Sequence, residues 1–300
     1  MIQINNVTKK FTDITALEDV NIHIPKSSIY GVLGSNGAGK TTLLKLIAGI
    51  YTAEAGTVEV NQQPIFENIA LKKNIIFIPD IPYFLPQYTV KQMAEYYERI
   101  YPSWDQKTFE RLGKVFQINL NKKVARLSKG MQRQVAFWLA FSVKPDLMLL
   151  DEPMDGLDPV MRSQVRKMLI ENVAEREMTV VIASHNLKEV EDICDIVAII
   201  HQSKLLFERE LDELRTDIHK LQIVFKDGIP NNLLEELNSL QHDKRGSVLT
   251  CIVRGEEAKL LSTVEYYLPV VVDILPLTLE EIFIYEMEAT GYAFENIIDK

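Results

Sequence analysis

The sequence predicts an α/β fold with a helical insertion and a small β/α unit at its C-terminal end. Three observations predict it. Short apolar runs of strand length alternate with segments of helical period between residues 29 and 200. The first of these runs, residues 29–33, opens through a glycine-rich loop onto Leu43-Leu44-Lys45-Leu46-Ile47-Ala48, which has helical character. A later run, Leu147-Met148-Leu149-Leu150, ends on two adjacent carboxylates, Asp151 and Glu152.

The loop itself is Gly34-Ser35-Asn36-Gly37-Ala38-Gly39-Lys40-Thr41-Thr42. Strand, glycine-rich loop and helix together are the context a P-loop requires. The glycines let backbone N–H groups converge on phosphate oxygens, and the helix N-terminus adds partial positive charge. Lys40 is spaced to reach the β and γ phosphates, and the Thr41 hydroxyl to ligate Mg²⁺. An ordinary glycine-rich turn is the competing reading, but it accounts for neither the lysine nor the flanking elements. The chain is expected to bind a nucleoside triphosphate.

Bulk properties narrow the class. Three hundred residues suggest two domains, and 47% hydrophobic with 25% charged residues is ordinary globular composition. A formal net charge of −9 argues against nucleic acid as a partner. Cys194 and Cys251 have no metal-ligand spacing, which suits a reducing compartment. The opening Met1-Ile2-Gln3-Ile4 reads as strand, so no signal peptide is expected. No uncharged apolar run approaches a membrane span, so any membrane role is expected to be peripheral.

Taken in order, Ile2, Ile4, Ile22 and Ile24 alternate with polar residues, the mark of half-buried strands. Phe11 follows the first of these strands; edge-of-core packing and stacking on a nucleotide base are both open to it. A short strand is expected over 56–60 and a buried one over 75–78, followed by a loop punctuated by Pro79, Pro82 and Pro86. From 90 to about 115 the period is helical, with Met93, Tyr96, Tyr97 and Ile100 on one stripe. Tyr83, Phe84, Tyr96, Tyr97 and Tyr101 suit either core packing or a protein-docking surface. Ser128 is the N-cap of a helix expected over 132–142, by itself a common feature.

Two adjacent acids after an apolar strand are often a solvated strand end. Downstream of a P-loop they read differently, with Asp151 near Mg²⁺ and Glu152 activating the attacking water. Residues 180–183 form one more apolar strand ending at Ser184-His185, and at the carboxyl end of a strand in an open sheet His185 is a candidate for ligand contact. The nucleotide-binding domain is expected over 1–213, with its helical insertion at about 85–145. The remainder, 214–300, reads as an accessory β/α domain for dimer contact or regulation. Its strands are expected near 221–225, 248–253 and 270–274, and its helices over 231–240, 256–268 and 277–288.

As a set, these motifs resemble those of the ATP-binding subunits of ABC transporters, over roughly residues 1–210. Gly34 to Thr42 matches the Walker A loop of that family, and Leu127-Ser128-Lys129-Gly130-Met131 matches its signature. Leu147 to Asp151 matches Walker B, with Glu152 as catalytic base. Asp155-Gly156-Leu157-Asp158 matches the D-loop, His185 the switch histidine and Phe11 the base-stacking aromatic. The resemblance implies two such chains facing head to tail, each ATP held between one Walker A and the other signature, where Ser128 and the Gly130 N–H would cap the γ-phosphate. It also implies a transmembrane permease subunit as partner, a homodimer or a heterodimer with another ABC ATPase subunit, and a peripheral location on the cytoplasmic face of the cell membrane.

Three departures from the family pattern stand out. Asp80 takes the position of the Q-loop glutamine, where a carboxylate would ligate Mg²⁺ more strongly than an amide. Lys129 and Met131 replace two signature residues. The resulting Leu-Ser-x-Gly-Met form, with the C-terminal stretch 277–283, resembles bacterial exporter subunits for drugs, antibiotics or peptides. The contrasting reading is a soluble, non-transport ABC ATPase in repair, translation or cluster assembly; the single P-loop, the lack of a cysteine-rich insertion and the acidic balance weigh against it. A purely regulatory nucleotide sensor would be expected to lack Glu152, which is present.

Overall fold

A computed structural model of the chain describes residues 1–213, 218–226, 228–230, 232–275, 277–278 and 280–282. The chain divides into two units, Met1–Glu208 and Arg209–Lys300.

The first unit begins with two long strands, β1 (Ile2–Phe11) and β2 (Ile14–Ile24), paired antiparallel so that Ile2 faces Ile24 and Ile4 faces Ile22. All four isoleucines are buried while Gln3 and His23 are exposed, as their alternation predicts. β4 (Ala55–Val60) and β5 (Gln63–Pro64) extend this sheet to the order β2-β1-β4-β5. The second sheet has six strands. They are β3 (Ile29–Leu33), β6 (Ile75–Ile78), β7 (Leu147–Asp151), β8 (Thr179–Ser184), β9 (Ile196–His201) and β10 (Lys204–Glu210), in the order β10-β9-β3-β8-β7-β6.

The pairings of β6, β7, β8, β3 and β9 are parallel. A parallel sheet is covered on both faces, which is why β3, β7 and β8 are buried at every position and read in sequence as unbroken apolar runs. Helix α1 (Lys40–Ile47) packs against β2, β4, β7 and β8 and buries Leu43, Leu44, Leu46 and Ile47 in the main core. Gly39 caps its start with φ 116°, and a Cβ there would lie 2.4 Å from the Ala16 carbonyl oxygen. Only glycine meets both demands.

After the short α2 (Ile69–Lys72) comes the insertion. The helical run expected over 90–115 is two helices, α3 (Val90–Ile100) and α4 (Gln106–Phe116). Pro102 forces the break: the residue before a proline is driven out of the helical region, and Tyr101 stands at φ −104°, ψ 108°. Asp105 restarts the chain by accepting the Thr108 N–H at 3.0 Å. Of the predicted stripe only Met93 is buried; Tyr96 and Ile100 remain about two-fifths exposed. The last helix of the insertion, α5, spans Lys129–Val143, longer at both ends than expected. Its Trp138 stacks on Phe109 at 4.6 Å and donates its indole N–H to the Phe109 carbonyl at 2.8 Å. Two helices, α6 (Pro159–Arg176) and α7 (Leu187–Glu191), complete the unit.

The second unit is an antiparallel sheet of β11 (Ile218–Val224), β12 (Gln241–Arg245), β13 (Val248–Arg254) and β14 (Val271–Leu275), in the order β12-β13-β11-β14. Leu221, Ile223, Leu249, Cys251 and Val253 form its core with Leu260 and Val264 of the helix Glu257–Tyr266. Two expectations change here. The helix expected over 231–240 is one turn, Leu233–Glu236, ended where Asn238 adopts φ 45°. The chain then forms β12, a strand of five polar, exposed residues held by backbone pairing to β13, with no apolar alternation to announce it. The helix expected over 277–288 lies mostly outside the described residues, as do Leu279 and Phe283 of the C-terminal motif. Among the described residues no helix is long and apolar enough to cross a membrane.

Candidate functional site

The carboxyl ends of β3, β7 and β8 lie side by side, and the residues that follow them build the site. Lys40, 6% exposed, donates from Nζ to the Gly34 carbonyl at 2.7 Å and to that of Ser35 at 3.2 Å. It also stands 3.7 Å from Glu152 Oε1. Burial lowers its pKa against the opposing pull of Glu152 and Asp151. Ser35, Asn36 and Gly37 form the exposed rim of the loop, whose turn is closed by the Ala38 N–H on the Ser35 carbonyl at 3.2 Å. A glycine-rich loop of this kind at a helix start is the arrangement that cradles phosphate. Thr41 and Thr42 open the first helical turn, and Thr41 donates its hydroxyl to Asp151 Oδ2 at 2.8 Å.

Asp151, 3% exposed at the end of β7, has its carboxyl pKa raised, chiefly by burial and in part by the nearby Glu152 and Asp80. A desolvated carboxylate beside a hydroxyl fits a small divalent cation, since Mg²⁺ takes one or two protein oxygens and completes its shell with water and phosphate. Thr41 and Asp151 are the residues that would hold it. No group of three or more His, Cys, Asp or Glu suited to a metal ion occurs among the described residues.

Glu152 is the most constrained residue of the site. Its φ is 45°, a left-handed conformation that costs a non-glycine residue roughly 1–3 kcal/mol and persists only where neighbours impose it. The neighbours are visible. Its N–H donates to the Ala183 carbonyl at 2.9 Å, and its carbonyl accepts from the Arg133 guanidinium. Its carboxylate accepts from His185 Nδ1 at 2.9 Å, the Ser184 hydroxyl at 3.2 Å and the His185 N–H at 3.3 Å. The parallel register that pairs Asp151 with Ala183 is what brings these groups together. The hydrogen bond to Glu152 raises the pKa of His185, whose side chain is half exposed.

Elsewhere the predicted residues have local tasks. Ser128 caps α5, accepting the Met131 N–H at 3.3 Å. Asp158 caps α6, accepting the Val160 and Met161 N–H groups at 3.0 Å. Gly130 has its own reason to be glycine: a Cβ there would sit 2.4 Å from the Gly156 carbonyl oxygen, so the start of α5 packs directly on the Asp155–Asp158 turn. The start of α5 and the start of α6 are thus brought together through Gly130 and Gly156, and the same turn reaches Glu152 through the Asp155 N–H at 3.3 Å.

Phe11 meets Tyr51 edge-on at 5.2 Å, with the Lys9 ammonium 5.0 Å from its ring centroid, and stays 37% exposed. Edge packing is therefore realised, and part of the ring still faces solvent. Asp80 accepts Arg133 Nη2 at its backbone carbonyl and lies 3.1 Å from the same group through its carboxylate, which is about half exposed. Its carboxylate is engaged by a guanidinium, not by Thr41 or Asp151.

Arg133 was not singled out in the sequence. A signal was there: a cation near the N-terminal end of a mostly apolar helix is at the wrong pole of the dipole and needs a specific partner. Glu189 was missed too. It accepts from Ser184 and Asn186 and lies 3.8 Å from Arg162, whose Nε donates to the Leu157 carbonyl at 2.9 Å, tying the turn after Glu152 to the one after β8.

Comparison with known proteins agrees with this geometry. The family model described as ABC transporter matches residues 17–155. Among curated relatives, the ABC transporter ATP-binding protein YtrB of Bacillus subtilis (strain 168) is 34% identical over 95% of this chain and 97% of its own length. The bacitracin transport ATP-binding protein BcrA of Enterococcus faecalis is 31% identical over 71% of this chain and 70% of its own. A solved structure described as the ATP binding subunit of an ABC transporter superposes with a TM-score of 0.67 at 25% identity, covering 72% of this chain and 92% of that one.

Proposed function

The chain belongs to the ABC transporter family of ATP-binding proteins, and from that premise we propose that it is the ATP-hydrolysing, energy-coupling subunit of a membrane exporter. The observation that carries the hydrolytic reading is the Glu152 carboxylate, held by Ser184 and His185 beside the Thr41–Asp151 pair and the Lys40 ammonium. A carboxylate so oriented, next to a cradle for phosphates, is equipped to take a proton from an attacking water.

In this reading Lys40 and the amides of residues 34–42 bind and neutralise the phosphates, and Phe11 stacks on the base. Thr41 and Asp151 hold Mg²⁺, which would withdraw charge from the phosphate oxygens. Glu152 accepts the proton, and His185 keeps the carboxylate aimed and supplies positive charge beside it. Asp80, expected from the sequence as a further metal ligand, has its carboxylate on Arg133, which favours a role in holding its own loop. Ser128 and Gly130 would meet the nucleotide of a second cassette, with Asp158 at the same junction. Among the described residues none of their hydrogen bonds runs to Lys40, Thr41 or Asp151, which supports a site completed by another subunit, identical or related.

A transmembrane permease partner, a position on the cytoplasmic face of the membrane and cargo of the antibiotic, drug-like or peptide class complete the proposal. The transporter name of YtrB supports the permease partner and the bacitracin-transport name of BcrA the cargo class, and Tyr96 and Ile100 leave apolar surface exposed on the insertion. The decisive experiment is Glu152→Gln. It should abolish steady-state ATP hydrolysis, a loss of at least roughly 100-fold, while retaining ATP binding and increasing an ATP-dependent dimer on gel filtration. Unchanged hydrolysis would remove Glu152 as the base.

A further inference from the structure

We propose that Arg133 is a positioning residue for the hydrolytic step, tying the conformation of Glu152 to that of α5. The inference rests on the reading of Glu152 as the base. Arg133 is 6% exposed, and a guanidinium withdrawn from water must find acceptors for its N–H groups. It finds them on two other segments. Nη1 donates to the backbone carbonyl of Glu152, and Nη2 donates to the backbone carbonyl and carboxylate of Asp80. Asp80 follows β6 and Glu152 follows β7, the parallel neighbour of β6. One side chain therefore links the ends of two adjacent strands to a helix.

What makes the link functional is where it lands. The Glu152 backbone is left-handed, and its N–H is already fixed on Ala183. The carbonyl is the other point at which the peptide can turn; it accepts the Asp155 N–H at a long 3.3 Å, and the Arg133 guanidinium supplies its charged donor. Releasing it lets the residue relax toward ordinary φ and swings the carboxylate away from His185 and Ser184. Arg133 also lies only five residues beyond Ser128 and three beyond Gly130, on the helix whose start carries both. A shift of α5 is thus transmitted to the base through the Arg133–Glu152 hydrogen bond. The Asp80 carboxylate serves as counter-ion to this cation, which gives the aspartate at that position a physical reason.

Steady-state hydrolysis by the full-length chain, with kcat and KM for ATP determined separately, tests this. Arg133→Ala should lower kcat by roughly 10- to 100-fold, the scale of a misplaced reacting group, with KM within about threefold of wild type. Arg133→Gln, which can still donate to one carbonyl, should recover part of the loss, and it carries the same criteria should the alanine variant fold poorly. In a Glu152→Gln background, single-turnover hydrolysis should fall no more than about twofold further on adding Arg133→Ala, because the two act through one group. A kcat within about twofold of wild type, a KM that rises in step with the loss, or losses that multiply in the double variant would each overturn the positioning role. Should Glu152→Gln alone retain hydrolysis, the reading of the base fails first, and the role of Arg133 falls with it.

Discussion

His185 is a histidine whose charge is decided by one neighbour. The Glu152 carboxylate on its Nδ1 raises its pKa above 6.5, the value for a free histidine. The folded chain therefore holds the proton more tightly than the unfolded one. The resulting stabilisation is complete below pH 6.5 and is lost as pH rises through the higher folded value. Because the imidazole is half exposed, the contribution is small, about 0.5 kcal/mol. Comparing urea midpoints of wild type and His185→Gln at pH 5.5 and pH 9 measures it: the gap between them should shrink at the higher pH. A gap independent of pH would mean that the imidazolium–carboxylate contact contributes nothing. The residue types at Lys40, Thr41, Asp151, Glu152 and His185 were legible in the sequence because each follows a strand or opens a helix with a recognisable pattern. Arg133 was not, since its partners lie 53 and 19 residues away and no local pattern joins them.

Among the elements, α5 does the most, packing the insertion together and carrying Ser128, Gly130 and Arg133. Its anchor is Trp138, 2% exposed and stacked between Phe109 at 4.6 Å and Phe116 at 6.0 Å. Trp138→Ala would open a large cavity and leave the Phe109 carbonyl without its indole donor. It should cost about 3–5 kcal/mol, read as a lower urea midpoint. A loss below about 1 kcal/mol would show that the insertion repacks around the gap. The helices themselves followed from their period and caps, and the break between α3 and α4 is also written in the sequence, in Pro102-Ser103-Trp104-Asp105 just beyond the stripe that ends at Ile100. β12 was hidden: all five of its side chains are polar, and only the main chain records its pairing.

For the molecule as a whole, the consequence of the first unit is an assembly. Ile81 and Tyr83 are 81% and 77% exposed, and Tyr96 and Ile100, one turn apart on α3, are 41% and 40% exposed, apolar side chains available for contact with another protein. Replacing the exposed Tyr96 and Ile100 by glutamate should abolish co-purification with the permease from detergent while leaving ATP affinity within about twofold, as both side chains face solvent on α3. A complex that survives both charges would exclude that surface.

By itself the sequence determined that this chain has an α/β nucleotide fold, that a P-loop follows one of its buried strands and that two acid residues follow another. These properties live in composition, period and short spacings, which neighbouring residues impose on one another. Only the tertiary structure decided that Gly130 is required by the Gly156 carbonyl, that Asp80 answers a buried guanidinium, and that Glu152 is held in a left-handed turn from both sides. Each of those is a contact between segments far apart in the chain. Such contacts arise when parallel strands align their ends, and that alignment is a property of packing that no local stretch of sequence encodes.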